Sequence, residues 1–213
     1  MLGDIPTLTG FSSISKVDIQ SSRSFLAKLG IGGKVGRQGV HHALEGGAGI
    51  GRVTEGLLLG MADQVDIIEP IAKFTAALEN KPGIRRIYNV GLEEWIPEEG
   101  ICYDLIWTQW RVGHLSDEQL AEYLQRCRGV LSGDGGGVMV VKENLSTVPG
   151  GGNMFDEVDG SFTREDSKFL ELFGRAGLRV VRSETQKGIP QKTPRKLLPV
   201  KMYALKSVLP EAL

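Results

Sequence analysis

Residues 44–52, with the sequence LEGGAGIGR, constrain the fold of this chain more than any other stretch. The apolar residues before the glycines suit the end of a short buried strand, and those after them recur at helical spacing. Glycine allows a sharp turn and a close approach of the backbone to a ligand, and the free N–H groups of a helix start can contact that ligand. The stretch therefore predicts a strand, a cofactor-binding turn and a helix.

The spacing of these glycines indicates which cofactor to expect. Gly47, Gly49 and Gly51 alternate behind the acidic Glu45, whereas the dinucleotide fingerprint has the spacing G-x-G-x-x-G. The pattern E-x-G-x-G-x-G resembles the first motif of class I S-adenosylmethionine-dependent methyltransferases, and it is not the NAD pattern. A glycine turn that binds no cofactor is the alternative, because short motifs recur by chance.

A second acidic residue, Glu69, ends the largely apolar segment 64–69. A doubly wound fold places its ribose-binding carboxylate at about this distance from the glycine turn. A carboxylate there can accept hydrogen bonds from both ribose hydroxyls. The alternative is a solvated charge at a strand end, but together with the glycines Glu69 favours cofactor binding.

Strand and helix patterns alternate along the rest of the chain. We expect an N-terminal arm at residues 1–17 and a leading helix at residues 18–30, capped by Asp18. Besides the strands at 42–44 and 64–69, strands are predicted at 85–90, 103–110, 138–141, 178–181 and 200–205. Further helices are predicted at 70–78, 116–131 and 163–176. The alternation predicts an α/β fold with a doubly wound, mostly parallel seven-stranded sheet and helices on both faces.

Composition is consistent with one domain over residues 1–213, because 213 residues that are 41% hydrophobic can bury a substantial core. With a net charge of -1, the chain has no basic excess that would indicate a polyanionic partner. No apolar stretch approaches the ~20 residues of a membrane helix, and the N-terminus lacks a signal-peptide pattern. We therefore expect a cytoplasmic protein without a membrane partner. Cys102 and Cys127 lack metal-ligand spacing, so no metal is expected.

Polar and aromatic residues follow two of the predicted strands. Gln109, Trp110 and His114 come after the strand at 103–110, and Asn144 comes shortly after the strand at 138–141. Ligands of open α/β sheets lie beyond the carboxyl ends of the strands. Taken singly, Trp110 suits a core and His114 a surface turn. Their joint position at strand ends favours a functional site.

Four stretches together resemble the protein α-N-terminal methyltransferases: EGGAGIGR at 45–52, IWTQW at 106–110 with GHL at 113–115, KEN at 142–144 and FDEVD at 155–159. The resemblance extends over residues 13–206, including VDIQSSR at 17–23. Members of this family use S-adenosyl-L-methionine to methylate proteins that begin Xaa-Pro-Lys. The resemblance implies the same activity, protein N-termini such as those of ribosomal proteins as partners, and access to the nucleus. A catalytically silent adaptor and a small-molecule methyltransferase are the alternatives.

The resemblance also implies roles for individual residues. The cofactor would be surrounded by Gly47, Gly49, Arg52, Glu69, Pro70, Ile71, Leu92, Glu93 and Gln109. The peptide would be bound by Trp110, Glu143, Asp156, Asp159, Ser161 and Tyr203. Asn144 would hold the α-amine, and Asp159 and His114 would accept its proton. An α-amine has a pKa of about 7.7 to 8.0 and must lose a proton before it attacks, for which a modest base suffices.

Charge supports a cationic substrate, since residues 156–166 contain five acids against one base, Arg164. Three features depart from the family. The segment before the leading helix is short, with Phe11 as its one aromatic residue, and Glu143 replaces the usual aspartate. Residues 187–201 form a longer, basic connection, which we expect to be a solvated loop and not a nucleic-acid contact, because it lacks an aromatic stacking platform.

Overall fold

The computed structural model describes residues 12–33, 35–133, 136–188 and 198–208, without the side chains of 12–14. Seven strands form the main sheet: β1 (Val40–Gly46), β2 (Ala62–Ile68), β3 (Ile84–Tyr88), β4 (Leu105–Gln109), β5 (Val138–Asn144), β8 (Leu178–Thr185) and β9 (Val200–Ser207). A separate hairpin consists of β6 (Met154–Asp156) and β7 (Ser161–Thr163). The α-helices are α1 (Ser12–Lys28), α2 (Arg52–Gly56), α3 (Ala72–Thr75), α4 (Asp117–Gly129) and α5 (Asp166–Arg175).

The strand order in the main sheet is β3-β2-β1-β4-β5-β9-β8. The strands from β3 to β5 run parallel, and β9 lies antiparallel to both of its neighbours. The predicted mostly parallel, doubly wound sheet is therefore confirmed. Because the chain winds outward in opposite directions from β1 and β4, the crevice for a ligand lies at the carboxyl ends of these two strands.

Apolar layers cover both faces of the sheet, and each contains residues from helices. Phe25 of α1 belongs to one buried cluster, together with Val53 of α2. Leu124 of α4 and Phe173 of α5 belong to the other. All five residues of β4 are buried, which confirms the prediction that this apolar strand is central.

Helix boundaries follow local signals in some places and not in others. Ser116 and Gln119 form the predicted capping box at the start of α4, with hydrogen bonds of 3.2 and 2.8 Å. The leading helix, in contrast, begins at Ser12, so Asp18 lies inside it and does not cap it. The helix predicted at 70–78 is the single turn α3 followed by a 3₁₀ turn, Ala76–Leu78. No helix in the described part of the chain has the length and apolar content to cross a bilayer.

The hairpin β6–β7 was not predicted, because its residues follow a glycine-rich loop and are mostly exposed. Phe155 and Phe162 face each other across it, with ring centroids 4.7 Å apart. Asp156 pairs with Ser161, so the turn between the strands carries Asp159 at its tip. Of the predicted arm, residues 1–11 lie outside the described residues, as does most of the basic connection.

Candidate functional site

The glycine turn between β1 and α2 has two sides with different neighbours. Gly47 and Gly51 both have left-handed backbones, with φ of 75° and 83°. A Cβ on Gly51 would lie 2.7 Å from a methyl carbon of Leu78, so close packing requires this glycine. A Cβ on Gly47 would lie 2.7 Å from Cβ of Arg111 and closer still to its Cγ, so this glycine allows the Arg111 side chain to cross the turn. Close packing therefore requires both glycines, Gly51 against Leu78 and Gly47 against Arg111 at the carboxyl end of β1.

Glu69 lies immediately after β2 and is 1% exposed. Its Oε2 accepts a 2.8 Å hydrogen bond from the N–H of Gly49, and its Oε1 accepts one of 3.2 Å from the N–H of Ile71. These bonds hold the carboxylate beside the glycine turn. The following Pro70 is exposed and Ile71 is half-buried. This position is compatible with the predicted binding of ribose hydroxyls by Glu69, which stays a prediction.

Arg111, for which no role was predicted from the sequence, crosses the same turn. Its Nη2 lies 3.4 Å from Oε2 of Glu69, and its Nε lies 3.4 Å from the carbonyl oxygen of Gly47. The guanidinium thus contacts the carboxylate that a ribose would use. Its position directly after the IWTQW stretch at 106–110 was the signal in the sequence that could have identified it as a site residue.

Arg52 and Gln109 meet at the switch point of the sheet. Arg52 opens α2, is 22% exposed at its side chain, and donates a 2.7 Å hydrogen bond from Nη1 to Asp18. Gln109 ends β4, donates to the same Asp18 oxygen at 2.9 Å and accepts from Nε1 of Trp107 at 3.1 Å. The structure therefore brings together two of the predicted cofactor residues and adds Asp18, which sequence reasoning had treated only as a helix cap.

Leu92 and Glu93 lie in the loop after β3. Leu92 is buried in the core, and Glu93 is exposed. Nη2 of Arg126 in α4 donates to the carbonyl oxygens of both residues, at 3.0 and 2.9 Å. The loop is thus fixed to α4, and the predicted contacts of Leu92 and Glu93 with a cofactor stay predictions.

Trp110 has an unusual backbone conformation for a bulky residue, with φ of 53°. Such a residue costs on the order of 1–3 kcal/mol and is found most often at functional sites. Its ring lies 5.2 Å from the guanidinium carbon of Arg52, and its Nε1 is buried without a partner among the described residues. Strain and an unpaired donor both mark this position as part of a site.

Glu143 and Asn144 end β5. Glu143 is 6% exposed, and its Oε1 accepts a 2.8 Å hydrogen bond from the N–H of Asn144. Its Oε2 is buried and has no partner within the described part of the chain. Burial raises the pKa of the Glu143 carboxyl to about 7. Asn144, which is half-buried, therefore has a fixed backbone next to the end of β4.

The structure brings His114 and Asp159 together from distant parts of the chain. His114 is in the 3₁₀ turn Val112–His114. The preceding Gly113 packs on the hairpin so closely that a Cβ there would lie 3.0 Å from the carbonyl oxygen of Phe162. Asp159 accepts a 2.9 Å hydrogen bond from the N–H of Ser161. Hydrogen bonding to Ser161, together with the charge of His114, holds the pKa of Asp159 below its ordinary value.

Arg164 holds this arrangement and was missed as a site residue. It is 1% exposed and donates at 2.9 Å to the carbonyl oxygen of Val112 and at 2.5 Å to that of Leu115. Its Nε donates to Asp117 at 2.9 Å. The guanidinium thus joins the end of β7 to the turn that carries His114. A lone base in an acidic stretch was the signal in the sequence.

Tyr203 is placed in the core and not on an open wall. Its side chain is buried in β9, and its ring packs against those of Phe169 and Phe173. Its hydroxyl donates a 2.5 Å hydrogen bond to Asp166. Because the ring is buried and the hydroxyl is occupied, we correct the expected substrate contact of Tyr203 to a packing role.

Comparison with known proteins identifies relatives over nearly the whole chain. The profile of the AdoMet-dependent proline di-methyltransferases matches residues 5–206. The chain is 40% identical over 207 residues to alpha N-terminal protein methyltransferase 1 of Schizosaccharomyces pombe, covering 96% of this chain and 87% of that protein. It is 36% identical over 188 residues to the human N-terminal Xaa-Pro-Lys N-methyltransferase 1, covering 86% and 81%.

Solved structures agree with the fold. A SAM-dependent methyltransferase from Leishmania major superposes with a TM-score of 0.79 at 32% identity, covering 93% of this chain and 75% of that one. The DhpI–SAH complex has a TM-score of 0.65 at 14% identity, covering 95% of this chain and 90% of that one, which supports the fold alone. The glycine turn, the buried Glu69 and Arg52 fit S-adenosylmethionine as the cofactor. The chain belongs to the family of AdoMet-dependent proline di-methyltransferases.

Proposed function

We propose that this protein transfers methyl groups from S-adenosyl-L-methionine to the α-amino group of proteins whose N-terminus reads Xaa-Pro-Lys. The human relative, at 36% identity, is named an N-terminal Xaa-Pro-Lys N-methyltransferase, and the Schizosaccharomyces pombe relative, at 40% identity, is named an alpha N-terminal protein methyltransferase. The observation that carries the proposal is the packing of the His114 turn on the β6–β7 hairpin, beside the ends of β4 and β5. This packing gathers a base, an acidic turn and an amide around one edge of the sheet.

The reaction requires an uncharged amine aligned with the methyl group. A nitrogen–carbon bond forms as the carbon–sulfur bond breaks, and the electron pair of that bond stays on sulfur. The cofactor supplies the activated methyl group, so the residues of this chain have to align the amine and remove its proton. Well-oriented reactants can gain roughly 7 to 11 kcal/mol from such alignment. We assign alignment of the amine to Asn144 at the end of β5.

His114 and Asp159 have different roles, one in accepting the proton and the other in binding the substrate. Because the pKa of Asp159 is held low, its carboxylate stays charged and is the weaker proton acceptor of the pair. We therefore assign proton acceptance chiefly to His114, which is exposed and can pass the proton to water. Asp159 attracts the cationic substrate. Repeated methylation needs a new deprotonation before each transfer, which is why a base next to the amine is important.

The hairpin supplies the expected specificity for lysine. Asp156, Glu157 and Asp159 are all exposed there, and Ser161 is half-buried. An N-terminus with lysine at its third position has complementary charge to this turn. We propose that the proline at the second position of the substrate packs on the ring of Trp110. The substrate lysine and proline thereby contact different elements of the site.

Ribosomal proteins are our proposed substrate class, which rests on what is typical of the family the sequence resembles. Such substrates are made in the cytoplasm and pass through the nucleus. We therefore propose both compartments as places where the protein acts.

Incubation of the protein with cofactor and an Xaa-Pro-Lys peptide, followed by mass spectrometry, tests the proposal. We expect gains of about 14 Da per methyl group at the amino terminus. An N-acetylated peptide is the control for the attacked atom, and a peptide with norleucine in place of lysine is the control for the acidic turn. A protein that binds S-adenosylhomocysteine but adds no mass at any pH from 7 to about 9 would contradict the proposal and favour the silent adaptor. Cofactor binding without peptide binding would favour a small-molecule substrate.

A further inference from the structure

Asp18, in the middle of α1, has no exposed surface and accepts hydrogen bonds from three side chains outside its helix. Its Oδ1 accepts from Nζ of Lys142 at 2.5 Å. Its Oδ2 accepts from Nη1 of Arg52 at 2.7 Å and from Nε2 of Gln109 at 2.9 Å. These three donors come from β5, α2 and β4, so one carboxylate joins α1 to three elements around the carboxyl ends of the strands.

The buried pair of Asp18 and Lys142 is well satisfied. Lys142 has no exposed surface, and its Nζ also donates to Oγ of Ser22 at 3.0 Å. Burial would raise the pKa of Asp18, but Lys142 and Arg52 outweigh it and hold that pKa below the ordinary value. Burial lowers the pKa of Lys142, and Asp18 opposes this shift. Asp18 is therefore a carboxylate in the folded protein.

The directly bonded charges do not balance. Asp18 carries one negative charge, whereas Lys142 and Arg52 carry two positive ones. Of the three side chains, those of Asp18 and Lys142 are fully buried, and Arg52 alone reaches solvent, with 22% of its side chain exposed. The excess positive charge is thus presented by Arg52, directly after the glycine turn. The amino-acid end of S-adenosylmethionine carries a carboxylate, which is the complement of this charge.

Two further contacts fix the direction of these donors. Arg52 is held between Asp18 and the ring of Trp110, whose backbone is left-handed. Gln109 is held between Asp18 and Nε1 of Trp107. Each side chain therefore keeps one orientation only while Asp18 is in place. Both lie at the ends of elements that border the glycine turn.

We propose that Asp18 is a positioning residue of the cofactor site, which holds Arg52 and Gln109 so that their remaining donors face the amino-acid end of S-adenosylmethionine. Helix α1 is then part of that site and not only a cover for the sheet. The inference rests on the proposed function through its cofactor and is independent of the peptide that is methylated.

A purely structural role would make Asp18 only the counterion of Lys142, and a pair of variants separates the two roles. Asp18→Asn leaves a buried lysine unpaired, so it is expected to lose stability for either role. The double variant Asp18→Leu/Lys142→Met removes both charges, together with the oxygen acceptors of Asp18, so no buried charge is left unpaired. It keeps the net charge of the cluster but leaves Arg52 and Gln109 without their common acceptor.

The experiment measures the dissociation constant of S-adenosylhomocysteine by calorimetry and the melting temperature of the same samples. We expect the double variant to regain most of the melting temperature lost by Asp18→Asn, while its dissociation constant stays at least about 10-fold above that of the original protein. Double-variant protein that binds S-adenosylhomocysteine with the original affinity would overturn the proposal. If neither variant folds, Asp18→Glu is measured, which keeps the charge but moves the carboxylate by one methylene. Reduced binding by folded Asp18→Glu protein supports the proposal, and unchanged binding overturns it.

Asp66→Asn is the matched control, because Asp66 is also fully buried and paired with an arginine. Its partners are Arg85, at 2.9 and 2.6 Å, and the hydroxyl of Tyr103 at 2.7 Å. We expect this variant to lose stability and to keep its affinity for S-adenosylhomocysteine within about 2-fold. The assay needs no methyl transfer. A protein that methylates no Xaa-Pro-Lys peptide but shows these binding changes would support the role of Asp18 and contradict the proposed substrate.

Discussion

Arg111 lies across the glycine turn and directs its guanidinium at Glu69, with 3.4 Å between Nη2 and Oε2. Glu69 is almost fully buried, while 27% of the Arg111 side chain is exposed. The same carboxylate oxygen already accepts a hydrogen bond from the N–H of Gly49. A ribose hydroxyl that bound this oxygen would compete with the guanidinium, so we expect Arg111 to move when the cofactor binds.

We predict that Arg111→Met tightens the binding of S-adenosylhomocysteine. The cofactor no longer has to displace an ion pair, and partly exposed pairs contribute up to about 1 kcal/mol, which corresponds to about 5-fold in affinity. Calorimetry at two salt concentrations checks this, because the gain should shrink as salt screens the original pair. Arg175→Met, on the remote α5, is the control. Weaker binding by Arg111→Met would show that Arg111 contacts the cofactor after it moves.

Gly47 and Gly51 should both lose stability when replaced by alanine, since both have left-handed backbones, but they should differ in cofactor binding. Gly51→Ala brings a Cβ within 2.7 Å of Leu78, so strain and overpacking together should cost about 2 to 4 kcal/mol of unfolding free energy. Gly47→Ala brings a Cβ within 2.7 Å of Cβ of Arg111 and closer still to its Cγ, so it should likewise cost about 2 to 4 kcal/mol unless Arg111 moves. It should weaken the binding of S-adenosylhomocysteine by about 10-fold or more, because the methyl occupies the turn.

Urea unfolding and calorimetry on both variants provide the comparison. The two glycines would have the opposite roles if Gly51→Ala kept its stability and lost binding. Folded Gly51→Ala protein should otherwise bind S-adenosylhomocysteine nearly as well as the original protein.

The buried Glu143 predicts a pH dependence of stability. Its pKa in the folded protein is about 7, against an ordinary value of 4.5. Between these values the folded state binds more protons than the unfolded state, so the free energy of unfolding falls as pH rises from about 4.5 to 7. At 1.36 kcal/mol per unit of pKa, the fall is at most about 3 kcal/mol.

Glu143→Gln should remove this contribution, so the variant should lose less stability between pH 5 and pH 8 than the original protein does. Glu45, whose pKa burial also raises to about 7, should keep part of the slope in that variant. Glu45→Gln is therefore a matched comparison, and the double variant should be nearly flat. Unfolding in urea across this pH range measures the slopes. A slope that Glu143→Gln leaves unchanged would mean that Glu143 is charged in the folded protein.

Asp159→Ala should impair methyl transfer and spare cofactor binding. Asp159 is on the exposed tip of the hairpin and interacts with Ser161 and His114, whereas the glycine turn is at the end of β1. We expect the specificity constant for an Xaa-Pro-Lys peptide to fall by about 10-fold to 100-fold, with the dissociation constant of S-adenosylhomocysteine within about 2-fold. Glu99→Gln, an exposed acid that precedes β4 and is not part of the hairpin, is the control. Equal losses in both quantities would reject the role proposed for Asp159.

Arg164→Lys tests whether the position of His114 depends on the end of β7. Lysine keeps the charge but cannot donate at once to the carbonyl oxygens of Val112 and Leu115 and to Asp117. A small displacement of a catalytic group can cost up to about 100-fold, so kcat should fall by about 10-fold or more. Asp117→Asn keeps the two carbonyl bonds and should have a smaller effect. Unchanged kcat in folded Arg164→Lys protein would show that His114 needs no support from Arg164.

Local patterns in the sequence determined the fold class, because they reflect interactions between residues that are close together in the chain. The alternation of apolar strands and amphipathic helices predicted the seven-stranded sheet, and Ser116 with Gln119 predicted the start of α4. The glycines and Glu69 predicted the cofactor turn, since a left-handed backbone and a strand-end carboxylate are local requirements. The family resemblance added the expected roles of the polar residues at the strand ends.

The tertiary structure alone decided which polar residues meet. Asp18 looked like a helix cap but is bonded to Lys142, 124 residues away. Arg164 looked like one charge among acids but fixes a turn 49 residues earlier at Leu115. Tyr203 was expected to bind the peptide but packs in the core. Each outcome depends on long-range packing that excludes water, so that a buried polar or charged group requires a partner. No local pattern in the sequence identifies which residue that partner is.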